Sequence, residues 1–325
     1  MPPRLILLAA LLGAACAVTD PMVERPAQTE GAASTGAAAL GSRLVHMEMR
    51  YEVRAPGETE RARFLLLVPK DLPGRQRVRS LEWILPPTKT YERPGGLEAE
   101  WIFDQPKGSF ELGCVLSVEL SPFDLSSSTL DLEADPVVLD TYLRDEEFLE
   151  KHAPRVARAA RELAPTEAEG LELLRALFKG SLLELENQGF IKAERGANRA
   201  LKMGGGDCTD YTDVLVALCR GRGLPARHVR GMLARPFSAG DTPKHSWVEV
   251  HLPLRGWVRL DPFFTENGHA SFEELRNEYI SVSYDRNEEV ENFWRYWYWG
   301  DAISVTERLD LGHGVWTETV GPRGG

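Results

Sequence analysis

GGGDCTDYTDVLVALCRGRGLPAR, residues Gly204 to Arg227, is the stretch on which the fold of this 325-residue chain turns. Asp207 can cap a helix, Val214, Leu215, Leu218 and Cys219 form its buried side, and Gly221, Gly223 and Pro225 stop it, so the spacing predicts a helix that starts at Cys208. A thiol in the first turn meets the positive end of the helix dipole and unsatisfied backbone N–H groups, which favour its ionised form. The glycines ahead of it let the chain turn tightly and bring a carbonyl close to the backbone, where the N–H of Cys208 can donate to an oxyanion. Cys219 lies nearly three turns further along the same stripe and reads as a core residue. At about 1.5 Å of rise per residue the two sulfurs are too far apart for a disulfide, which sets aside a redox switch built on that pair.

A thiolate nucleophile needs an imidazole, and the imidazole needs an acceptor that orients it. Of seven histidines, His245 has a context that supplies both. It opens a strand-like run, Ser246 to Leu252, which returns after Pro253-Leu254-Arg255-Gly256 as Trp257 to Pro262, the pattern of a hairpin. Side chains at 245, 247, 249 and 251 share one face. Asp261 joins that face only if directly paired residue numbers sum to an even value, as when Leu252 pairs with Gly256. An odd register would put the carboxylate across the sheet.

Five blocks occur in order: Gly206-Asp207-Cys208; Leu218-Cys219-Arg220; Gly223-Leu224-Pro225-Ala226-Arg227; His245-Ser246-Trp247-Val248-Glu249-Val250; and Gly256-Trp257 with Leu260-Asp261-Pro262. Together they resemble the transglutaminase-like superfamily, from about Tyr142 to Phe263. The resemblance implies a papain-like α+β core, a cysteine-bearing helix packed on an antiparallel sheet, with Cys208 as nucleophile, His245 as general base and Asp261 as its orienting acid. It implies no metal and no organic cofactor. A second oxyanion donor is expected upstream of the cysteine, with Asn198 as the candidate. The family also places aromatics beside its thiol cleft, which makes Trp247 a candidate substrate contact, although Trp247 and Trp257 equally suit core packing. The implied chemistry is acyl transfer from a peptide, isopeptide or glutamine carboxamide through a thioester on Cys208, with hydrolysis preferred over crosslinking. The alternative is a catalytically inactive binding or scaffolding module of the same fold in the cell envelope.

The preceding segment reads as an all-β sandwich over residues 42–130. From Arg43 to Arg54 apolar and polar residues alternate with a period of two, and strand-like runs follow at Phe64–Val68, Val78–Leu85, Glu98–Phe103 and Leu112–Leu120. Cys114 shares parity with Leu112 and Leu116 and reads as core. After Asp135-Pro136 the pattern turns helical, around Phe148–Leu163 and then from Thr166, where Thr166 and Glu169 form a capping box. Residues 131–325 are therefore expected to form the catalytic domain. Arg220 and Arg227 are read as braces paired with carboxylates and Glu249 as a structural partner of Arg227 or Arg230, and the aromatic run Phe293 to Trp299 as a closing strand or helix packed on the sheet in preference to an acceptor groove or a sugar-stacking surface.

At the start, Arg4 precedes an apolar run from Leu5 to Leu12 and small residues lead to Cys16, a secretory leader over residues 1–19. The run is shorter than the roughly 20 residues of a membrane span. Small residues directly before Cys16 resemble the bacterial lipoprotein cleavage box, which would lipidate that cysteine; cleavage after Ala15 or Ala17 is the alternative. Residues 20–41 are too poor in large apolar groups to pack and read as a flexible linker. The expected location is the bacterial cell envelope, held to the membrane through the lipid anchor only. The expected partner is a protein or peptide substrate, including envelope or peptidoglycan peptides. A net charge of −11 repels duplex phosphate, so no nucleic acid is expected.

Overall fold

The computed structural model describes residues 41–126, 135–236, 242–287 and 293–320. The leader with Cys16, and residues 20–40 of the linker, lie outside the described residues. No described helix is long and apolar enough to cross a membrane.

The period-two alternation yields β1 (Arg43–Ala55), which buries every second residue from Val45 to Ala55. There follow β2 (Thr59–Val68), β3 (Gln76–Trp83), β4 (Lys89–Arg93), β5 (Gly96–Asp104), β6 (Gly108–Leu120) and the short β7 (Phe123–Asp124). The helical part runs α1 (Pro136–Thr141), α2 (Pro154–Glu162), α3 (Gly170–Glu184), β8 (Glu186–Asn187), α4 (Ala197–Met203), β9 (Gly205–Gly206) and α5 (Cys208–Gly221). Then come β10 (Ala226–Leu233), β11 (Lys244–Leu252), β12 (Gly256–Leu260), α6 (Pro262–Glu266), β13 (Glu274–Leu275) and β14 (Tyr279–Ser283). The chain closes with β15 (Trp294–Gly300), β16 (Ser304–Asp310) and β17 (Val315–Val320). The fold is α+β.

Two sheets, ordered β17-β16-β1-β6-β3 and β15-β2-β5-β4, enclose one apolar core that includes Met49, Tyr51, Phe64, Trp101, Cys114 and Trp294. A third, antiparallel sheet runs β12-β11-β10-β14. Alternation sends its two faces to different cores. Val229, Leu233, Trp247 and Tyr279 join the helical core around α5, while Met232, Ala234, Ile280 and Val282 join the sandwich core. The site sheet is therefore packed on both sides, and β11 is buried almost throughout.

Two expectations need correction. Residues 131–325 do not stay together as one unit, because β15 pairs with β2 and β16 with β1. Each of those early strands has a free edge that a strand from the far end of the chain fills. The run at Trp294 is that strand, with Trp294 and Tyr296 turned into the sandwich. The capping box at Thr166 does not form. Gly170 takes a left-handed φ of 51°, so α3 begins there, with Glu169 as its N-cap. Lys89–Arg93, too polar to stand out by pattern, is an additional edge strand on β5.

Candidate active site

Helix α5 starts at the cysteine because the residues before it leave no other arrangement. Gly204 adopts φ 70° as the C-cap of α4. A Cβ on Gly205 would lie 2.6 Å from the Glu186 carbonyl, and one on Gly206 would lie 2.3 Å from the Asp210 Cβ. Asp207 accepts from the N–H groups of Thr209 (2.9 Å), Asp210 (3.3 Å) and Ile191 (3.0 Å). Asp210 accepts from the Asp207 N–H at 3.1 Å, which closes the capping box, and is itself held by Arg195. The cap takes the donors on either side of Cys208 and leaves the Cys208 N–H without a hydrogen bond among the described residues. The Cys208 side chain is half-buried, whereas Cys114 and Cys219 are fully enclosed, and burial pushes both of those thiols well up.

The hairpin takes the even register, with Leu252 opposite Gly256 and Val248 opposite Leu260. His245 and Asp261 consequently meet. The ring Nε2–H donates to Asp261 Oδ2 at 2.7 Å. The same oxygen accepts from the Tyr279 hydroxyl at 2.8 Å, and Oδ1 accepts from the Phe264 N–H at 2.9 Å. Asp261 is thus buried with both oxygens engaged and doubles as the N-cap of α6. Phe264 stacks on the imidazole at 4.4 Å with 17° between the planes.

Cys208 is close enough to this ring to act on it both as a charge and as a hydrogen-bond partner. Burial drives His245 toward the neutral form, but Asp261 first and Cys208 second outweigh it, and its pKa is raised to about 10. The Asp207 carboxyl is pushed up to about 6, by burial and then by the Asp210 charge.

The structure therefore brings together three of the residues singled out from sequence, Cys208, His245 and Asp261. Trp247 is fully buried, edge-on to Tyr279 at 5.1 Å, so it cannot touch a substrate and instead backs the His245 layer. That correction follows from the two-sided packing of β11. Asn198 stands on α4, its main-chain N–H donating to Glu150 at 3.3 Å. Gln188, not singled out, packs against Gly205 beside the cysteine turn. Tyr279 and Phe264 also escaped sequence reading, since each acts on Asp261 or His245 from an element without a motif of its own. Arg227 and Arg220 are braces as expected: Arg227 binds Glu249 (2.9 Å) and Arg220 donates to the Ala226 carbonyl (2.8 Å). A second histidine–carboxylate contact, His228 Nδ1 to Asp213 at 2.9 Å, is buried, and burial holds that ring neutral.

Residues 157–262 match the family model of the transglutaminase-like superfamily, and the match spans Cys208, His245 and Asp261. Over those residues the chain is similar to the transglutaminase-like superfamily. A 68-residue stretch is 32% identical to the uncharacterized protein YebA of Bacillus subtilis (strain 168). That match covers 18% of this chain and only 9% of the length of YebA. Among solved structures, a chain from Cytophaga hutchinsonii described as a candidate cysteine protease superposes with a TM-score of 0.58 at 11% identity, over 88% of this chain and 94% of that one. The likeness in fold thus extends beyond the transglutaminase-like core to the sandwich. The periplasmic domain of TgpA from Pseudomonas aeruginosa is more distant, with a TM-score of 0.40 at 16% identity, over 68% of this chain and 90% of that one.

Proposed function

We propose that the protein is a cysteine-dependent acyl-transfer enzyme that cleaves carboxamides, with hydrolysis as its main outcome. The observation that supports this most is the position of the His245 ring, bonded to Asp261 through Nε2 and within reach of Cys208. In this reading the sulfur of Cys208 attacks the carbonyl carbon while its proton resides on His245. The developing oxyanion is received by the free Cys208 N–H, with Asn198 or Gln188 as the further donor. The imidazolium then protonates the departing amine and a thioester remains. Water, deprotonated by His245, attacks the thioester, releasing a carboxylic acid and restoring the thiol. Asp261 keeps the ring oriented and stabilises its charged form throughout.

The substrate is a protein or peptide, and the Cytophaga chain of like fold, described as a candidate cysteine protease, agrees with hydrolysis. The leader and the lipid-box-like cysteine Cys16 in the sequence support a location in the bacterial cell envelope. The test is exposure of the full chain to iodoacetamide and to envelope extracts, followed by mass spectrometry. Selective alkylation of Cys208, with Cys114 and Cys219 protected, and a trapped acyl group on Cys208 are expected; both should vanish in Cys208→Ser. An unreactive Cys208 in folded protein would instead favour the binding or scaffolding module.

A further inference from the structure

A cleft of about 430 Å³ is lined by Arg43, Arg235, Pro236, His269, Arg276 and Glu278. It adjoins the thiol site through one side chain. The Arg235 guanidinium lies 3.9 Å from the centre of the Phe264 ring, and the His245 imidazole lies 4.4 Å from that same centre. Two groups so close to one ring cannot share a face, so Phe264 is sandwiched between them, and the guanidinium sits one ring thickness behind the imidazole. His269 stands edge-on to Phe264 at 5.8 Å.

The charge of this cleft runs against that of the molecule. The chain as a whole carries −11, yet three guanidiniums line the cleft against the single carboxylate of Glu278. Among the described residues none of the three is within ion-pair distance of a carboxylate, Glu278 included; Arg43 contacts the His313 ring, and Arg235 only the Phe264 face. The buried arginines Arg75, Arg195, Arg220, Arg227 and Arg286, by contrast, are all bound to carboxylates. Guanidiniums left unpaired beside a reaction site suit a planar anion, which they can grip through two parallel N–H donors.

We propose that this cleft binds a carboxylate carried by the acyl-donor peptide, so that the enzyme selects anionic peptides. The inference rests on the reading of Cys208 and His245 as the reaction site. At about 3.5 Å per extended residue, the spacing across Phe264 places the recognised carboxylate roughly two or three residues from the attacked carbonyl. An acidic side chain and a free C-terminus offer the same group at that distance.

The test uses the full chain as Cys208→Ala, so that binding is read without turnover. Calorimetry compares three peptides of one sequence around a glutamine: one with a Glu side chain and an amidated C-terminus, one with Gln in its place and a free C-terminus, and one with neither carboxylate. One of the two anionic peptides should bind about ten- to hundredfold more tightly than the neutral one, and which one it is identifies the source. Arg235→Gln and Arg276→Gln should each remove most of that advantage, as should raised salt, while the melting temperature stays put. Equal binding of all three peptides, no measurable binding, or an advantage that survives both substitutions would overturn the proposal. Iodoacetamide labelling of the unsubstituted chain separately tests the thiol reading. A reactive Cys208 with no charge preference sinks the cleft alone, and an anion-selective cleft beside an inert Cys208 sinks the enzyme alone.

Discussion

His245 is pulled in opposite directions by its surroundings, and the outcome sets a measurable pH window. Burial disfavours its charge, but Asp261 and Cys208 prevail and hold the proton to about pH 10. The unfolded ring lets go near 6.5. The folded chain therefore binds a proton between those values that the unfolded chain has lost, so the stabilisation from this pair is complete below about 6.5 and fades as the pH rises toward 10. Asp261→Asn should bring the His245 titration, followed by NMR, down toward its ordinary range and flatten that alkaline loss. Turnover should fall by about 10²- to 10⁴-fold. A variant that still titrates near 10 would show that some other group supplies the charge. Asp261 was legible as a residue, through the family resemblance together with the condition that the hairpin takes an even register. Its other partners, Tyr279 and the Phe264 N–H, were not, because a hydroxyl arriving from β14 leaves no trace in the spacing of the hairpin.

The first turn of α5 depends on Asp207, which receives two N–H groups of that turn. Asp207→Ala should cost about 1 kcal/mol of stability and lower the melting temperature by a few degrees, and should slow alkylation of Cys208 as the turn frays. Asp207→Asn separates acceptor from charge. The carboxyl is pushed up to about 6 by burial and by Asp210, so its ionisation costs stability as the pH rises through about 4 to 6. Above pH 6 the Asn variant should therefore hold up better than the Ala variant in thermal melts, and equal loss in both would deny the capping role. Helix α5 and the hairpin could be read from sequence because their signals, a cap, a buried stripe and a turn, lie within a few residues of one another. The onset of α3 misled for the opposite reason: Thr166 and Glu169 have the right spacing, but Gly170 in a left-handed conformation breaks the helix they would have opened.

The sandwich and the site sheet are joined by a buried charge cluster. Glu249 on β11 receives Arg75 from the β2–β3 connection (2.7 Å) and Arg227 from β10, with Arg259 at 4.0 Å. Burial alone would raise its pKa, but Arg75 and Arg227 lower it to about 2. Its contribution is present above about 4.5 and lost as the pH falls toward 2. Glu249→Ala strands three buried cations and should cost about 3–5 kcal/mol in urea unfolding at neutral pH, with the gap to wild type narrowing in acid. A gap that stays constant down to pH 2 would mean that packing, not charge, accounts for the loss. Of the two partners that the sequence offered Glu249, Arg227 and Arg230, Arg227 on the neighbouring strand binds it. Arg75 could not be found this way, since a contact spanning 174 positions has no local pattern. The return of β15 and β16 to β2 and β1 escaped for the same reason.

That return also fixes the order of assembly. Strands β1 and β2 cannot complete their sheets until residues 294–310, far along the chain, have arrived. Until then the layer beneath β10 and β14 lacks its outer strands, and Lys244, the neighbour of His245, lacks Glu307, to which it binds at 2.6 Å. A chain in which residues 294–310 have not yet docked thus holds the layer of Cys208 and His245 without a finished floor under it.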